Sequence, residues 1–174
     1  MKVELVLLTV ILVSGCTSST QVYDATTIEV RDGDTIRADT GGRPEEVRLR
    51  GVDTPEISGP VDPEEYEGVP DNQDARECLK NWGYRARNYT AEFVSGEYQL
   101  VTDGKRGIYG RLLASAKKEN RSLNRLLIRK GYARVYDSDY SRKNNFTAIE
   151  QKAQKNMTGL WSCRIYQLQE IKIK

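Results

Sequence analysis

Three short runs of β-prone residues follow one another in the first third of the chain and are separated by tight turns. The runs cover residues 22–30, 35–39 and 47–52 and contain several β-branched side chains. Asp32-Gly33 lies between the first two runs, where an Asp-Gly pair is a strong hairpin signal. Gly41-Gly42 turns the second run into the third. We therefore expect the chain to start with three consecutive strands.

The rest of the chain mixes helical and extended patterns. Residues 84–94 place apolar side chains at helical spacing, and Gly96 ends that helix. The other predicted elements are strands at 98–102 and 112–116, a helix from Ser122 through 128, an extended segment at 132–136 and a helix at 146–155. Five principal strands with a helix between the third and the fourth indicate an α+β fold, a five-stranded OB-fold barrel with Greek-key topology, decorated by three helices.

Two segments depart from this regular pattern. Residues 57–81 carry seven acidic and two basic side chains and lie among or beside four of the five prolines, so we expect an irregular acidic excursion. Residues 103–107 are predicted to be a mobile connection between two strands. Trp161 is expected to pack back onto the domain.

The N-terminal residues resemble an export signal. An apolar run at residues 3–13 is too short to span a bilayer as a helix but fits a signal peptide. Ser14-Gly15-Cys16 resembles a lipoprotein processing site, at which Cys16 is lipidated; a plain cleaved signal or a buried strand is the alternative. We expect a signal peptide at 1–15, a tether at 16–21, a domain at 22–163 and a tail at 164–174. The protein would then be secreted or anchored by lipid outside the cell membrane.

Two further cysteines, Cys78 and Cys163, remain once Cys16 is assigned to lipidation. In an exported protein such a pair suggests one disulfide, although two buried thiols are the alternative.

Charge and histidine content narrow the chemistry. Residues 1–102 carry 19 acidic and 10 basic side chains, whereas residues 103–174 carry 6 acidic and 17 basic ones. This asymmetry suits a fold that holds a cation on one side and a polyanion on the other, and two solvated faces are the plain alternative. The chain has no histidine, which excludes histidine-ligated metals and histidine-based acid–base catalysis.

Several motifs occur together and in order. They are Val30 to Thr35, the string VRLRGVDTPE at 47–56, Trp82-Gly83 entering a helix with Ala86, Tyr109-Gly110-Arg111, and Leu123-Asn124 through Gly131-Tyr132-Ala133. In this order they resemble the staphylococcal nuclease-like (thermonuclease) family over residues 22–163. The resemblance implies an OB-fold barrel, a Ca²⁺ cofactor, and hydrolysis of DNA or RNA to 3′-phosphorylated products. A monomer is expected.

The resemblance assigns the metal to Asp34, Asp53 and the carbonyl of Thr54. Two carboxylates and a carbonyl suit Ca²⁺, which takes six to eight oxygens, so water and a substrate phosphate would complete its shell. Asp32 is expected to shape the turn that carries Asp34.

Three further residues form the expected catalytic set. Glu56 can orient or deprotonate the attacking water, and the guanidinium groups of Arg48 and Arg111 match phosphate oxygens bidentately. Arg50 lies two residues from Arg48, so strand alternation alone cannot choose between them; the resemblance favours Arg48.

In this interpretation, tyrosine side chains bind the bases of the substrate. Tyr109 matches a family position beside the nucleotide, where an aromatic ring stacks on a base. Tyr136 and Tyr140 are candidates for a second stacking site, although Asp137 and Asp139 interrupt the expected pattern.

Two other functions fit parts of the sequence. One is a non-catalytic binding module on the same fold, but such modules usually lack several members of the set of acidic residues and arginines that is complete here. The other is a calcium-stabilised surface lipoprotein that binds a protein or an envelope polymer. An assay of DNA hydrolysis in Ca²⁺ against EDTA separates both from an enzyme.

Overall fold

The strands of a closed barrel make up the centre of the protein. The computed structural model describes residues 19–136 and 143–166, without the side chains of residues 143 and 144. The strands are β1 (Gln21–Val30), β2 (Thr35–Asp39), β3 (Pro44–Leu49), β4 (Val52–Asp53), β5 (Tyr98–Arg106), β6 (Leu112–Lys118), β7 (Arg121–Ser122) and β8 (Arg134–Val135). The helices are α1 (Gln73–Phe93), α2 (Leu123–Arg129) and α3 (Lys143–Lys155), with 3₁₀ turns at Pro63–Glu65, Ile108–Gly110 and Gly159–Arg164.

Five strands pair in the order β3-β2-β1-β5-β6, and a parallel pairing of β3 with β6 closes the ring. The other four pairings are antiparallel. This arrangement confirms the predicted OB-type barrel with three helices. Its interior is filled by fully buried aliphatic side chains, among them Ile36, Val47, Leu49 and Leu100. A separate pairing of β4 with β8 lies beside the barrel.

The prediction of an irregular segment at 57–81 is wrong in its second half, because α1 begins at Gln73 rather than at residue 84. Asn72 caps the helix by accepting a hydrogen bond from the Ala75 backbone N–H at 2.9 Å. The acidic side chains of the first turns face outwards, while Ala75 and Leu79 are buried. The helix was not predicted because its buried face is narrow and the segment is rich in acidic residues.

Two strand boundaries also differ from the prediction. The third strand covers Pro44–Leu49 instead of 47–52, because Gly51 adopts a left-handed φ of 74° and separates it from β4. The stretch at 103–107, predicted to be a mobile connection, mostly belongs to β5, which continues to Arg106.

A second, smaller hydrophobic cluster lies between α1, the acidic segment and the last 3₁₀ turn. It contains Val61, Tyr66, Val69, Leu79, Leu160 and Trp161, together with Cys163. Trp161 is buried, as expected. Cys78 of α1 and Cys163 form a disulfide within this cluster, so the alternative of two free thiols does not apply to the structure.

Several predictions fall outside the described residues. The signal peptide at 1–15, Cys16, Tyr140 and most of the tail at 164–174 belong to this group, as do residues 16–18 of the predicted tether. In the parts of the chain that the structure describes, none of the helices has the length and apolar character needed to cross a membrane.

Candidate active site

Asp34 is the innermost charged group of the site. It follows the turn between β1 and β2, and its side chain has no exposed surface. The turn is held by the Asp32 carboxylate, which accepts a hydrogen bond from the Asp34 backbone N–H at 3.1 Å, as expected for Asp32. Asp34 in turn accepts a bond from the Thr54 backbone N–H at 2.8 Å. This bond joins the two loops that carry the predicted metal ligands.

Arg48 lies on β3, directly opposite Thr35 of β2. One of its guanidinium nitrogens contacts the Asp34 carboxylate and the other contacts Asp53. Arg50 lies beyond the end of β3 and pairs instead with Asp103. The two arginines that strand alternation could not separate therefore have different partners, and Arg48 is the one at the two carboxylates.

Thr35 connects Arg111 to this group. The Thr35 hydroxyl donates to Asp34 Oδ1 at 3.1 Å and accepts from Arg111 Nη1 at 3.3 Å and Arg48 Nη1 at 3.4 Å. Thr35 was not predicted as a site residue, because its role depends on β3 and β6 lying side by side. Its position next to Asp34 on a strand was the only signal available.

Asp53 is held between two arginines. Besides Arg48, the guanidinium of Arg134 contacts its carboxylate at 2.7 Å, since β4 pairs Asp53 with Arg134 of β8. The same Arg134 nitrogen lies 3.3 Å from the carboxylate of Glu65, in the acidic segment. Neither Arg134 nor Glu65 was predicted from the sequence as a site residue. Glu56, three residues after Asp53, is exposed at the mouth of the site.

One face of α1 supports both acidic loops. Thr90 donates a 2.6 Å hydrogen bond to the Gly33 carbonyl, and a Cβ at Gly33 would lie 2.7 Å from the Ala86 side chain. A Cβ at Gly83 would lie 2.4 Å from the Pro55 carbonyl oxygen. Because neither position has room for a side chain, the helix fixes the separation of the two loops.

Comparison with known proteins identifies the family of this chain. The model of the family described as staphylococcal nuclease homologue matches residues 46–163. The chain belongs to the staphylococcal nuclease family. It is a nuclease-type hydrolase.

Individual relatives are similar over most of this nuclease. An uncharacterized protein, MJ1439, of Methanocaldococcus jannaschii is 34% identical over 151 residues, which are 80% of this chain and 72% of the relative. A thermonuclease of Staphylococcus hyicus is 31% identical over 137 residues, 78% of this chain and 73% of the relative. The endonuclease YncB of Bacillus subtilis is 32% identical over 137 residues, which are 75% of this chain but 58% of that longer relative.

The acidic side chains of the candidate site repel one another. Burial raises the pKa of the Asp34 carboxyl well above its usual range, Arg48 opposes that rise, and the charges of Asp32 and Asp53 add to it. Burial also raises the pKa of Glu56, with smaller contributions from Asp32 and from Asp53. A site with crowded carboxylates favours a bound cation, which relieves both the repulsion and the desolvation.

The donor set fits a hard divalent ion such as Ca²⁺. Asp34 and Asp53 both contact the guanidinium of Arg48, so their oxygens lie within reach of one cationic centre. The Thr54 hydroxyl beside them is buried and lacks a hydrogen-bond partner in the described regions. Within those regions no three acidic side chains converge on one point, so carbonyl oxygen and water would have to complete the shell.

The tyrosines predicted to bind substrate both have exposed rings. Tyr109 is 89% exposed, with a φ of 66°, and the guanidinium of Arg111 lies 5.7 Å from the centre of its ring. Tyr136 follows β8 and is 45% exposed, and its backbone N–H donates to the Gly51 carbonyl at 3.2 Å. Tyr109 therefore lies beside a member of the site.

Proposed function

We propose that this nuclease is calcium-dependent, acts outside the cytoplasm, and hydrolyses phosphodiester bonds of DNA and/or RNA to products with a 3′-phosphate. The observation that carries the proposal is a cluster in which Arg48 contacts Asp34 and Asp53, and the Thr35 hydroxyl joins Asp34 to Arg111. It combines two guanidinium groups for a phosphate with two carboxylates for a cation.

Asp34, Asp53 and Thr54 are the residues that would hold Ca²⁺. When bound there, the ion supplies charge that polarises a phosphoryl oxygen and offsets negative charge in the transition state. The chain supplies the remaining functions, which are to bind the phosphate, to position water and to hold the base.

The two arginines bind the scissile phosphate in this proposal. Across the described residues Arg111 forms no ion pair with a carboxylate and donates to the Thr35 hydroxyl, so its guanidinium has capacity left for a substrate oxygen. Arg48 engages both carboxylates, and contact with a phosphate requires it to exchange at least one of them for a phosphate oxygen. Both groups stay charged at any working pH.

Glu56 receives the proton of the attacking water or orients that water. The pKa of Glu56 is raised towards the working pH, and a carboxylate with such a pKa is a more effective general base. Tyr109, exposed beside Arg111, offers a ring on which a base next to the scissile phosphate can stack. Tyr136 is the second candidate for such a contact.

Hydrolysis of DNA and RNA in Ca²⁺ and in EDTA tests the proposal. Arg48→Ala and Arg111→Ala should each lower turnover by about two orders of magnitude or more, as expected when a group that stabilises transition-state charge is lost. Arg37→Ala is the matched control, because Arg37 pairs with Glu46 on the exposed side of the sheet. Full activity in EDTA, or in both site variants with an unchanged circular dichroism spectrum, would reject the mechanism.

The extracytoplasmic location is supported by two features. Ser14-Gly15-Cys16 resembles a lipoprotein processing site, and the Cys78–Cys163 disulfide is typical of proteins in oxidising compartments. The proposal is a lipid anchor on Cys16 that holds the enzyme at the outer side of the membrane. Cell fractionation of the protein and of Cys16→Ala tests it: the variant should leave the membrane fraction, and equal distribution of both would exclude the anchor.

A further inference from the structure

A basic surface lies away from the candidate active site. It is formed by five cationic residues of the end of β6, of β7, of α2 and of α3, namely Lys117, Arg121, Arg125, Arg129 and Lys152. We call this surface the basic groove. It contains two adjoining clefts of about 440 and 650 Å³, which share Arg125 and Asn145 in their walls.

The cations of the basic groove are poorly neutralised. Among the described residues that line it, only Glu119 is acidic, and its carboxylate is 4.0 Å from Arg121. Across the described residues, neither Arg125 nor Arg129 forms an ion pair with a carboxylate. Glu150 of α3 is engaged elsewhere, since it accepts a 2.7 Å hydrogen bond from the Val135 backbone N–H.

The helix that carries the two arginines is firmly seated. Leu123, Leu126 and Leu127 of α2 are buried in the barrel core, so its opposite face stays towards solvent. Arg125 and Arg129 are exposed and four residues apart, which places them on one side of the helix with an axial separation of about 6 Å. Two cationic side chains at this spacing, carried by a firmly packed helix beside a cleft, suit a chain of regularly spaced negative charges.

The groove is separate from the site that holds the scissile phosphate. Arg111 immediately precedes β6, whereas Lys117 lies near the other end of that strand. Residues at the two ends of a seven-residue strand lie about 20 Å apart. At the rise of about 3.4 Å per nucleotide along a B-form helix axis, this distance corresponds to about six nucleotides.

We infer that the basic groove binds the sugar–phosphate backbone of the nucleic-acid substrate at a distance from the bond that is cut. The inference rests on the proposed function for the identity of the polyanion, and on charge complementarity for the surface. Contacts of this kind do not depend on base sequence and weaken as salt rises. Long substrates therefore gain affinity from the groove, while a dinucleotide, which cannot reach it, does not.

The test compares Arg125→Gln/Arg129→Gln with Lys80→Gln/Arg85→Gln, in the full chain. The control pair lies on α1 and removes the same charge from a different face. Binding of a fluorescent single-stranded DNA of about 30 nucleotides, several times the span to the active site, is measured by anisotropy in EDTA as a function of salt. Hydrolysis in Ca²⁺ is measured on the same DNA and on a dinucleotide.

The groove variant should bind the long DNA several-fold more weakly, and the slope of log affinity against log salt should fall by about 1.4 for two lost single-strand phosphate contacts. Its KM for long DNA should rise, with kcat and dinucleotide cleavage unchanged. An effect no larger than that of the control pair would overturn the inference, as would groove-dependent binding of phosphatidylglycerol vesicles but not of DNA. Groove-dependent DNA binding by a wild-type protein without hydrolytic activity would instead sustain the groove and reject the proposed function.

Discussion

Reduction of the Cys78–Cys163 disulfide should lower the stability of the domain by a large and calculable amount. The two cysteines are separated by 85 residues, so the bridge closes most of the described part of the chain into one loop. In the chain-entropy model a loop of this length restricts the unfolded state by about 4.6 kcal/mol at 25 °C. A folded domain of about 140 residues has an unfolding entropy of about 0.3 kcal/mol per kelvin, so Tm should fall by roughly 15 °C.

Thermal and urea denaturation followed by circular dichroism, with and without reductant, measures this difference. The reduced wild-type protein is the better comparison because it retains all side-chain atoms, and Cys78→Ala/Cys163→Ala should lose somewhat more because Cys163 is fully buried. Mass spectrometry with and without reductant establishes that the bridge has opened. Melting temperatures within about 3 °C of each other, with the opening verified, would refute the loop-entropy reasoning.

Three further predictions concern the surroundings of the site. Gly83→Ala should destabilise the protein by about 1–3 kcal/mol in urea titration and lower turnover, because its methyl group would meet the Pro55 carbonyl at 2.4 Å. Glu65→Gln should weaken Ca²⁺ binding about two- to fivefold by calorimetry, since it removes a half-exposed negative charge beside the site. Asp103→Asn should flatten the acid side of the stability profile: a hydrogen bond from Arg50 lowers the pKa of Asp103 from 3.8 to about 2, so its contribution, present above about pH 4, is lost towards pH 2.

The matched controls use neighbouring positions. Gly59→Ala should be neutral, because no atom lies within 4 Å of its added methyl group. Glu64→Gln removes the same charge one residue away from Glu65, without a contact to Arg134. Equal calcium affinities in the two glutamine variants would show that the Glu65 contact is immaterial, and an Asp103→Asn profile that parallels the wild type would reject the assigned pKa.

The barrel was predictable because its local signals are strong. Gly41 and Gly42 both adopt positive φ angles, which few other residues allow, whereas Gly33 is required by its close approach to Ala86. Both glycine signals mark turns, and the intervening runs form β1 to β3 as expected, with a shifted third strand. The first three turns of α1 were missed because most of them belong to the segment 57–81, whose composition is dominated by seven acidic residues and nearby prolines, while the core contacts of these turns are few and small. A narrow buried face gives a weak periodic signal.

The site was partly predictable for a different reason. The motifs that contain Asp34 and Asp53 are contiguous in sequence, and the structure brings their carboxylates to one guanidinium. Thr35 ends the motif that contains Asp34 and Arg134 follows the last motif, but their roles could not be predicted, because their contacts arise from the lateral pairing of strands. The choice of Arg48 over Arg50 depends on β3 ending at Leu49, a boundary that alternation of side chains cannot reveal.

The acidic segment at residues 57–72 helps to hold the site in place. It follows Glu56 directly, buries Val61 and Tyr66 in the second hydrophobic cluster, and returns Glu65 to the arginine that holds Asp53. The loop with Asp53 is therefore fixed at one side by the barrel and at the other by a cluster that the disulfide closes. Local opening of that cluster costs less than unfolding the barrel, since its apolar core is smaller. Reduction of the disulfide should therefore increase local opening around Asp53 more than in the barrel strands. Amide hydrogen exchange before and after reduction measures this, and exchange should accelerate more in β4 than in β2.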